Sequence, residues 1–177
     1  MAGNERLRLF IALRLPDDVL DEIEGWQRRQ LPNVRVVPRQ HLHVTLAFLG
    51  RRPSEELDSI VGELREAAAR AGEIRLIPLR YRETRSVGML MLEDEEGNAT
   101  RLAGDLHGRL ERLGVYKTEA RAWLPHLTVA RWRERPRLHP EPPPGRTFVP
   151  SDAAAYLSQL HPGGARYAVL ESVALGG

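Results

Sequence analysis

Alternating hydrophobic and polar residues open the chain and predict a β-strand over residues 6–15. The apolar side of this strand carries Leu7, Leu9, Ile11 and Leu13. After it, apolar residues recur at helical spacing between Val19 and Trp26, so we expect a helix that Asp17 caps and that ends near Gln30. The pattern therefore begins with a strand followed by an amphipathic helix.

A second strand and a second helix come next. The strand is predicted over residues 41–50, HLHVTLAFLG. For the helix, Ser54 is the expected cap and Gly72 the expected end. One face of this helix is apolar: Leu57, Ile60, Val61, Leu64, Ala68 and Ala71. A further strand is expected at residues 73–83, where Pro78 favours the edge of a sheet.

The same order of elements recurs in the second half of the chain. Residues 87–92 predict a strand, and the chain then predicts a helix that ends at Gly114. Its apolar stripe consists of Leu102, Leu106, Leu110 and Leu113. The next strand, LPHLTVAR at residues 124–131, is similar to the strand at residues 41–50. Strand, helix and related strand thus occur twice at nearly equal spacing, which indicates a degenerate internal duplication.

Prolines and a hairpin mark the last part of the chain. Residues 135–150 hold six of the 13 prolines, which excludes a central strand or a helix interior and predicts a stiff loop. AAAYLSQL and ARYAVLESVAL are typical of two strands, joined by residues 161–164. Hairpin signals without regular long crossovers favour an α+β fold with mainly antiparallel sheets.

The composition fits one soluble globular domain over residues 1–177, because 42% of the residues are hydrophobic and 28% are charged. No stretch approaches the roughly 18 apolar residues of a membrane span, so no membrane association is expected. The start, MAGNERLRLF, lacks the apolar region of a signal peptide, and we expect the mature chain to begin near Met1 in the cytoplasm. The lack of cysteine excludes disulfides and thiolate zinc sites. Without a heptad pattern, a monomer is expected.

Arginine accounts for nearly all of the basic residues, since the only lysine is Lys117. One interpretation is a codon bias of the genome, because arginines on a solvated face need no ligand. The other is phosphate binding, for which the guanidinium fork is well suited where an arginine lies beside a site. Charge alone does not identify a nucleic-acid partner.

The pattern His-apolar-Thr-apolar occurs twice, as His43-Val44-Thr45-Leu46 and as His126-Leu127-Thr128-Val129. Side chains alternate between the faces of a strand, so each copy presents one imidazole and one hydroxyl together over an apolar core face. In the first copy, Ala47 is expected beside Thr45, and Phe48 on the core face. A single histidine in a strand is more often packed than catalytic, but repetition at matching places favours one shared site.

Two facing imidazoles suit a reaction that needs both a base and an acid near neutral pH. Hydrolysis of a cyclic phosphodiester is such a reaction, because water loses a proton as it attacks phosphorus and the departing ribose oxygen gains one on the opposite side. The two threonine hydroxyls would bind non-bridging phosphate oxygens. This chemistry requires neither a metal ion nor another cofactor.

The motifs and their contexts resemble the two-histidine phosphoesterase superfamily, and within it the RNA 2′,3′-cyclic phosphodiesterases, or LigT-like 2′-5′ RNA ligases. The resemblance spans almost the whole chain through RLFIAL, HVTLAFLG, PHLTVAR and GGARYAVLESVAL. It implies a bilobal α+β fold whose two lobes are related by a pseudo-twofold axis around a central cleft. It also implies hydrolysis of RNA 2′,3′-cyclic phosphate ends, or of a cyclic nucleotide, to a 2′-phosphate, with a slow, reversible 2′-5′ ligation.

By this resemblance His43 and His126 are the catalytic pair, and Thr45 and Thr128 bind phosphate. Because the 3′ oxygen leaves when a 2′-phosphate forms, we expect His126 to act as the base toward water and His43 as the acid toward O3′. The sequence alone also permits the exchanged roles. Arg131 corresponds to an arginine that follows the second motif in the family and is a candidate phosphate ligand. Strict alternation points it away from His126, so this role requires a bulge.

Four other residues are weaker candidates for the site. His41 faces the rim of the predicted cleft, where a structural or solvent-exposed role is expected. Phe10, Trp132 and Tyr167 are candidates for stacking a base, although packing is the simpler explanation for each.

Three alternatives remain open. His41 and His43 form an HxH pair, as in some metal-dependent hydrolases, but zinc sites usually add a carboxylate or a further histidine, and neither motif segment contains Asp or Glu. A non-catalytic RNA-binding module would use the same cleft and its arginines. A related phosphodiesterase would act on another cyclic or 2′-5′ linked nucleotide, because the motifs address the phosphate and not what is attached to it.

Overall fold

The computed structural model describes residues 5–176, which form eight strands and three helices. The strands are β1 (Arg6–Arg14), β2 (Arg35–Val36), β3 (Val44–Pro53), β4 (Leu76–Glu83), β5 (Val87–Asp94), β6 (His126–Arg131), β7 (Asp152–His161) and β8 (Gly164–Val173). The helices are α1 (Asp17–Gln30), α2 (Leu57–Arg70) and α3 (Asn98–Leu113). Short 3₁₀ turns at Arg39–His41 and Ser54–Glu56 precede β3 and α2. The expected start near Met1 lies outside the described residues.

The strands form two four-stranded antiparallel sheets. Sheet 1 has the order β3-β1-β7-β8, and sheet 2 has the order β2-β6-β5-β4. In each sheet the strand with the His-Thr motif pairs with the strand that opens its half of the chain, β3 with β1 and β6 with β5. β4 lies at an edge, as Pro78 predicts. The predicted α+β fold with two pseudo-twofold related lobes is confirmed.

One continuous hydrophobic core joins the two sheets. Ile11 and Leu13 of β1, Leu90 of β5 and Leu127 of β6 are all fully buried in it. Burying a side chain of this size contributes roughly 1.5–3 kcal/mol each. Because both sheets pack against the same core, the side chains on their other faces are held in fixed relative positions.

Two helices contact the sheet of the opposite half. α1 follows β1 of sheet 1, but its Gln27 side chain donates a hydrogen bond to the Val129 carbonyl of β6 in sheet 2 (3.0 Å). α3 follows β5 of sheet 2, but its His107 Nε2 donates to the Leu46 carbonyl of β3 in sheet 1 (2.7 Å). Each half of the chain therefore contributes a helix that is hydrogen-bonded to the motif strand of the other half.

The helix starts differ from the expected caps. Asp17 is the first residue of α1, and Pro16 takes the capping position without a side-chain hydrogen bond. The Asp17 carboxylate instead pairs with Arg39 at 3.1 Å. Ser54 begins a 3₁₀ turn, so α2 starts three residues later, and the Ser54 N–H donates to the Glu5 carbonyl. Both predictions of a capping side chain are therefore wrong.

The first motif strand also starts later than residue 41. β3 begins at Val44, because Pro38 is followed by the 3₁₀ turn that contains His41. His43 consequently lies at the entrance to the strand. None of the helices within residues 5–176 is both long and apolar enough to cross a membrane.

Candidate active site

A cavity of about 210 Å³ lies where the two sheets face each other. Sheet 1 and the turn before β3 contribute His43 and Thr45, and sheet 2 contributes Thr128 and Arg131. His126 does not line this cavity directly, but it stands two residues before Thr128 on β6, and its charge acts on His43. Four of the five predicted site residues thus line one cavity, and His126 lies on the same strand as Thr128 and Arg131.

Backbone hydrogen bonds fix the tautomer of His43. Its Nδ1 lies 2.8 Å from the carbonyl oxygen of His41. A carbonyl can only accept, so Nδ1 carries the proton, and Nε2 of the neutral ring accepts from the Thr45 hydroxyl at 2.9 Å. The His43 nitrogen that can take up a proton is therefore Nε2, next to the threonine of the same motif.

His126 is held in the same way as His43. Its Nδ1 donates to the carbonyl of Leu124 at 3.0 Å, again two residues earlier in the chain. This bond leaves Nε2 as the nitrogen that can give or take a proton. The two motifs therefore present chemically equivalent nitrogens from opposite sheets.

The environment of His43 favours its neutral form. Burial lowers the pKa of His43 to about 4, the hydrogen bond to His41 opposes this shift, and the positive charges of Arg131, His41 and His126 add to it. Burial and Arg131 also lower the pKa of His41. A bound phosphate anion would offset the nearby positive charges, so the protonation of His43 is expected to depend on what occupies the cavity.

A β-bulge in β3 changes which side chains reach the cavity. Ala12 of β1 pairs with Thr45, but Ile11 pairs with Ala47, so Leu46 is an extra residue. After the bulge, Ala47 is buried in the core and Phe48 lines the cavity with 49% of its surface exposed. The expectation that Ala47 faces the cleft and Phe48 the core is wrong, because strict alternation does not allow for the extra residue.

A matching bulge lies in β6. Thr128 pairs with Met89 and Ala130 with Gly88, which leaves Val129 as the extra residue. Ala130 is buried, and Arg131 lines the cavity. The bulge that Arg131 requires is therefore present, and it falls at the same place in the second motif as in the first.

Two buried side chains donate hydrogen bonds to the backbone carbonyls of the bulged residues. His107 of α3 donates to the carbonyl of Leu46, and Gln27 of α1 donates to the carbonyls of Val129 and Val37. Gln27 and His107 are only 3% and 8% exposed. Neither residue was predicted as part of the site, although each is a polar residue beside the apolar stripe of an amphipathic helix.

Aromatic rings form one wall of the cavity. Phe10 stacks on Tyr156 (centroids 4.8 Å apart) and meets Tyr167 edge to face at 4.9 Å, and the His43 ring lies 4.9 Å from Phe10. Of the three candidates for stacking a base, Phe10 and Tyr167 line the cavity. Trp132 does not, because its Nε1 donates to the Thr84 carbonyl and its ring packs on Gly88.

Arg8 of β1 and Ser158 of β7 also line the cavity. Arg8 of β1 donates to the Ser158 hydroxyl at 2.7 Å, and its guanidinium lies 4.7 Å above the Phe48 ring. No carboxylate lines this cavity in the described part of the chain, whereas Arg8 and Arg131 both do. Across residues 5–176, no group of three or more His, Asp or Glu side chains is arranged to hold a metal ion. The field in the cavity favours an anion.

The geometry can be compared with known proteins. The family model of the 2′-5′ RNA ligase superfamily matches residues 15–143, which include both motifs. The chain belongs to this superfamily. A curated relative from Thermus thermophilus, named RNA 2′,3′-cyclic phosphodiesterase, is 33% identical over 97% of this chain and 91% of its own length.

A relative and a solved structure from Escherichia coli are similar over nearly the whole chain. The relative, also named RNA 2′,3′-cyclic phosphodiesterase, is 28% identical and covers 97% of this chain and 98% of its own. The crystal structure of E. coli LigT complexed with 3′-AMP superimposes with a TM-score of 0.83 at 25% identity, over 98% of this chain and 100% of that one. The superfamily fold thus extends across both lobes.

Proposed function

We propose that this protein hydrolyses RNA 2′,3′-cyclic phosphate ends, or cyclic nucleotides, to 2′-phosphates without a metal ion. The observation that carries the proposal is the duplicated His-Thr pair, in which each imidazole is bound through Nδ1 to the carbonyl two residues earlier. His43, Thr45 and Thr128 line one cavity to which no carboxylate of residues 5–176 contributes, and His126 stands two residues before Thr128. Superfamily membership and relatives named RNA 2′,3′-cyclic phosphodiesterase support the same reaction.

The proposed reaction is an in-line displacement at phosphorus. Nε2 of His126 takes a proton from water as the water oxygen bonds to phosphorus. The bond from phosphorus to O3′ breaks on the opposite side, and Nε2 of His43 gives its proton to O3′. The hydroxyls of Thr45 and Thr128 and the guanidinium of Arg131 donate to the non-bridging oxygens and stabilise the transition state.

The acid role of His43 depends on the bound phosphate. At neutral pH the free side chain is neutral, because its pKa is about 4. A phosphate anion beside Arg131 and His126 compensates the charges that oppose protonation of His43. The same low pKa favours the exchanged roles, in which His43 is the base, so the two assignments require a direct test.

Product analysis tests the reaction class. RNA with a 2′,3′-cyclic phosphate end is incubated with the protein in EDTA, and the end group is identified. A 2′-phosphate is expected, and His43→Ala and His126→Ala are each expected to lower turnover by about 10²–10⁴-fold. Binding of RNA without turnover would favour a non-catalytic RNA-binding module, and turnover that needs added metal would contradict the proposed mechanism.

A sulphur substrate separates the roles of the two histidines. When sulphur replaces O3′ in the cyclic phosphate, the leaving thiolate needs no proton. His43→Ala should then regain most of its lost turnover relative to wild type, whereas His126→Ala should not. Recovery in the His126 variant instead would establish the exchanged roles.

Reversible 2′-5′ ligation is part of the same proposal. A 5′-hydroxyl of a second RNA takes the place of water, so attack on the cyclic phosphate joins the strands by a 2′-5′ bond with the same two proton transfers. A labelled RNA with a 5′-hydroxyl should yield a slow ligated product that a 2′-5′ linkage-specific analysis detects. The histidine variants should lose ligation and hydrolysis together.

A further inference from the structure

A second cavity of about 470 Å³ continues from the first. We call it the arginine groove and define it by Arg8, Arg35, Arg131, Val36, Leu160 and Gly164. Arg8 and Arg131 line both cavities, together with His41 and Tyr167. The groove is therefore directly connected to the candidate active site.

The arginine groove combines positive charge with an absence of lining carboxylates in the described residues. Three arginines line it, and neither Asp nor Glu does. Guanidinium groups bind phosphate through charge-assisted hydrogen bonds. A chain of phosphates that leaves the active site in this direction would therefore meet a favourable field along its path.

Arg35 is the arginine of the groove that lies outside the first cavity. It is exposed on β2 of sheet 2, and its Nη2 donates to the Gly163 carbonyl in the β7–β8 turn of sheet 1 at 3.1 Å. A Cβ at Gly164 would lie 2.9 Å from this nitrogen, and Gly164 has φ +122°. Glycine at this position thus allows Arg35 to lie against the turn while its other N–H groups can face the groove.

Apolar surface lies beside Arg35 in the groove. Leu160 is 63% exposed and Val36 is 37% exposed. An exposed leucine and valine next to an arginine offer a face on which a nucleobase can pack while its phosphate is bound. The groove therefore matches one nucleotide in charge and in apolar surface.

A third cavity, on the other side of Tyr167, differs in charge. It is lined by Asp17 and Asp152 as well as Arg14 and Arg39. Both arginines are already in ion pairs, Arg14 with Asp152 and Arg39 with Asp17. A phosphate would meet carboxylates on this side, so the RNA backbone is directed to the arginine groove.

We propose that the arginine groove binds the nucleotide that precedes the cyclic end, with Arg35 on the connecting phosphate and Leu160 and Val36 on the base. The proposal rests on the proposed function and makes oligonucleotide ends the preferred substrates over free cyclic mononucleotides.

The test compares kcat/KM for a 2′,3′-cyclic mononucleotide and for a dinucleotide that ends in the same cyclic nucleotide. The wild-type protein should prefer the dinucleotide by roughly tenfold or more, as expected for one charged hydrogen bond and a packed base. Arg35→Gln and Leu160→Ala should each remove most of this preference. Turnover of the mononucleotide should remain at the wild-type level.

Matched variants outside the groove control for charge and hydrophobicity. Arg70→Gln removes an exposed arginine from α2, and Leu79→Ala removes an exposed leucine from β4. Neither should change the dinucleotide preference. Added salt should reduce the preference of the wild type but not that of Arg35→Gln, because the lost contact is the phosphate contact.

The outcomes distinguish the groove from the reaction. Equal rates on both substrates in the wild type would overturn the groove proposal and leave the proposed function intact. Loss of mononucleotide turnover in Arg35→Gln would also overturn it, because the side chain would then serve the terminal nucleotide. Absence of turnover on either substrate would overturn the proposed function, and the groove assignment with it.

Discussion

His43 combines a low pKa with a fixed tautomer, and both follow from its position at the entrance to β3. Its half-buried ring lies 4.9 Å from the Phe10 ring, and the backbone of the preceding turn accepts its Nδ1 proton. A histidine in this state is a poor proton donor until an anion arrives. In the proposed mechanism, His43 therefore links substrate binding to the availability of the catalytic proton.

We predict that phosphate binding raises the pKa of His43 above its value of about 4 in the free protein. The physical reason is that an anion offsets the charges of Arg131 and His126. Histidine-selective NMR titration with and without saturating inorganic phosphate measures the change. The exposed His139 provides an internal control, since its signal should not respond to phosphate at fixed pH. An unchanged His43 titration would mean that phosphate binds elsewhere.

The threonine hydroxyls are predicted to act on the transition state. Thr45→Val and Thr128→Val should each lower kcat by about 10²-fold, because each removes one donor to the phosphate oxygens. Thr45→Ser and Thr128→Ser keep the donor and should retain most of the activity. Thr118→Val, which changes an exposed threonine, is the matched control. Equal losses for valine and serine would point to packing of the methyl group.

At the level of single residues, the sequence predicts the side chains that a repeated motif marks. His43, Thr45 and Thr128 come together because the motif alternates as a strand does. Arg8 and Phe48 were not predicted as parts of the site. Arg8 comes from β1, which carries no motif, and Phe48 reaches the cavity through a bulge that leaves no sequence signal.

The two motif strands share an arrangement in which a β-bulge is hydrogen-bonded to a helix. In each strand, the residue after the threonine is bulged, and a helix from the opposite half donates a hydrogen bond to its carbonyl. The bulge turns the next cavity residue, Phe48 or Arg131, to the same face as the threonine. The position of Arg131 thus depends on a side chain of α1 that does not touch the cavity.

We predict that Gln27→Met lowers both stability and turnover. Loss of the amide removes the Gln27 donor from the Val37 carbonyl, while the Val129 carbonyl keeps the bond from the Val37 N–H, so the cost is about 1–3 kcal/mol of the free energy of unfolding. Displacement of the β6 bulge should also lower kcat about tenfold through Arg131. Urea unfolding and steady-state kinetics measure the two effects. Gln159→Met, at an exposed position on β7, should change neither quantity, and an unchanged kcat in Gln27→Met would contradict the positioning role.

Most elements were predictable from periodicity, and their ends less so. α3 ends at Gly114 as predicted, because this glycine takes the left-handed conformation (φ 84°) that terminates helices. The start of α1 was not predicted correctly, because Pro16 occupies the position before the helix. Asp17 pairs instead with Arg39, which lies 22 residues away. Contacts of this range have no local signal.

At the scale of the whole molecule, the two histidines that line the cavity couple stability to pH. In the unfolded chain His43 has its ordinary pKa near 6.5, whereas in the folded protein the pKa is about 4. Between these values the unfolded chain binds more protons, so acidification lowers stability from about pH 6.5 down to about pH 4. His41 contributes in the same direction.

We predict that the free energy of unfolding falls by about 2 kcal/mol through His43 between pH 7.5 and pH 5, as follows from its two pKa values. Urea titrations at the two pH values measure the change. The His43→Gln variant should lose less stability over the same interval, because glutamine does not titrate. Identical pH dependence in both proteins would mean that the His43 pKa is not depressed by folding.

The fold class of the whole molecule was predicted, but the way its strands and helices pack together was not. The repeated order of strand, helix and motif strand predicts two related lobes, which the sheets confirm. It does not predict that β2 joins sheet 2 or that α1 and α3 reach across, since these depend on which surfaces pack best in three dimensions. A single domain over residues 1–177, a monomer and a cytoplasmic location stay predictions.

Because α1 and α3 each donate a hydrogen bond to a strand of the other half, we expect neither half to fold on its own. A fragment that ends near Thr84 would keep α1 but lack the β6 strand that Gln27 contacts, and the remainder would keep α3 but lack β3. On this expectation, the two motif strands take up their final positions in one cooperative step.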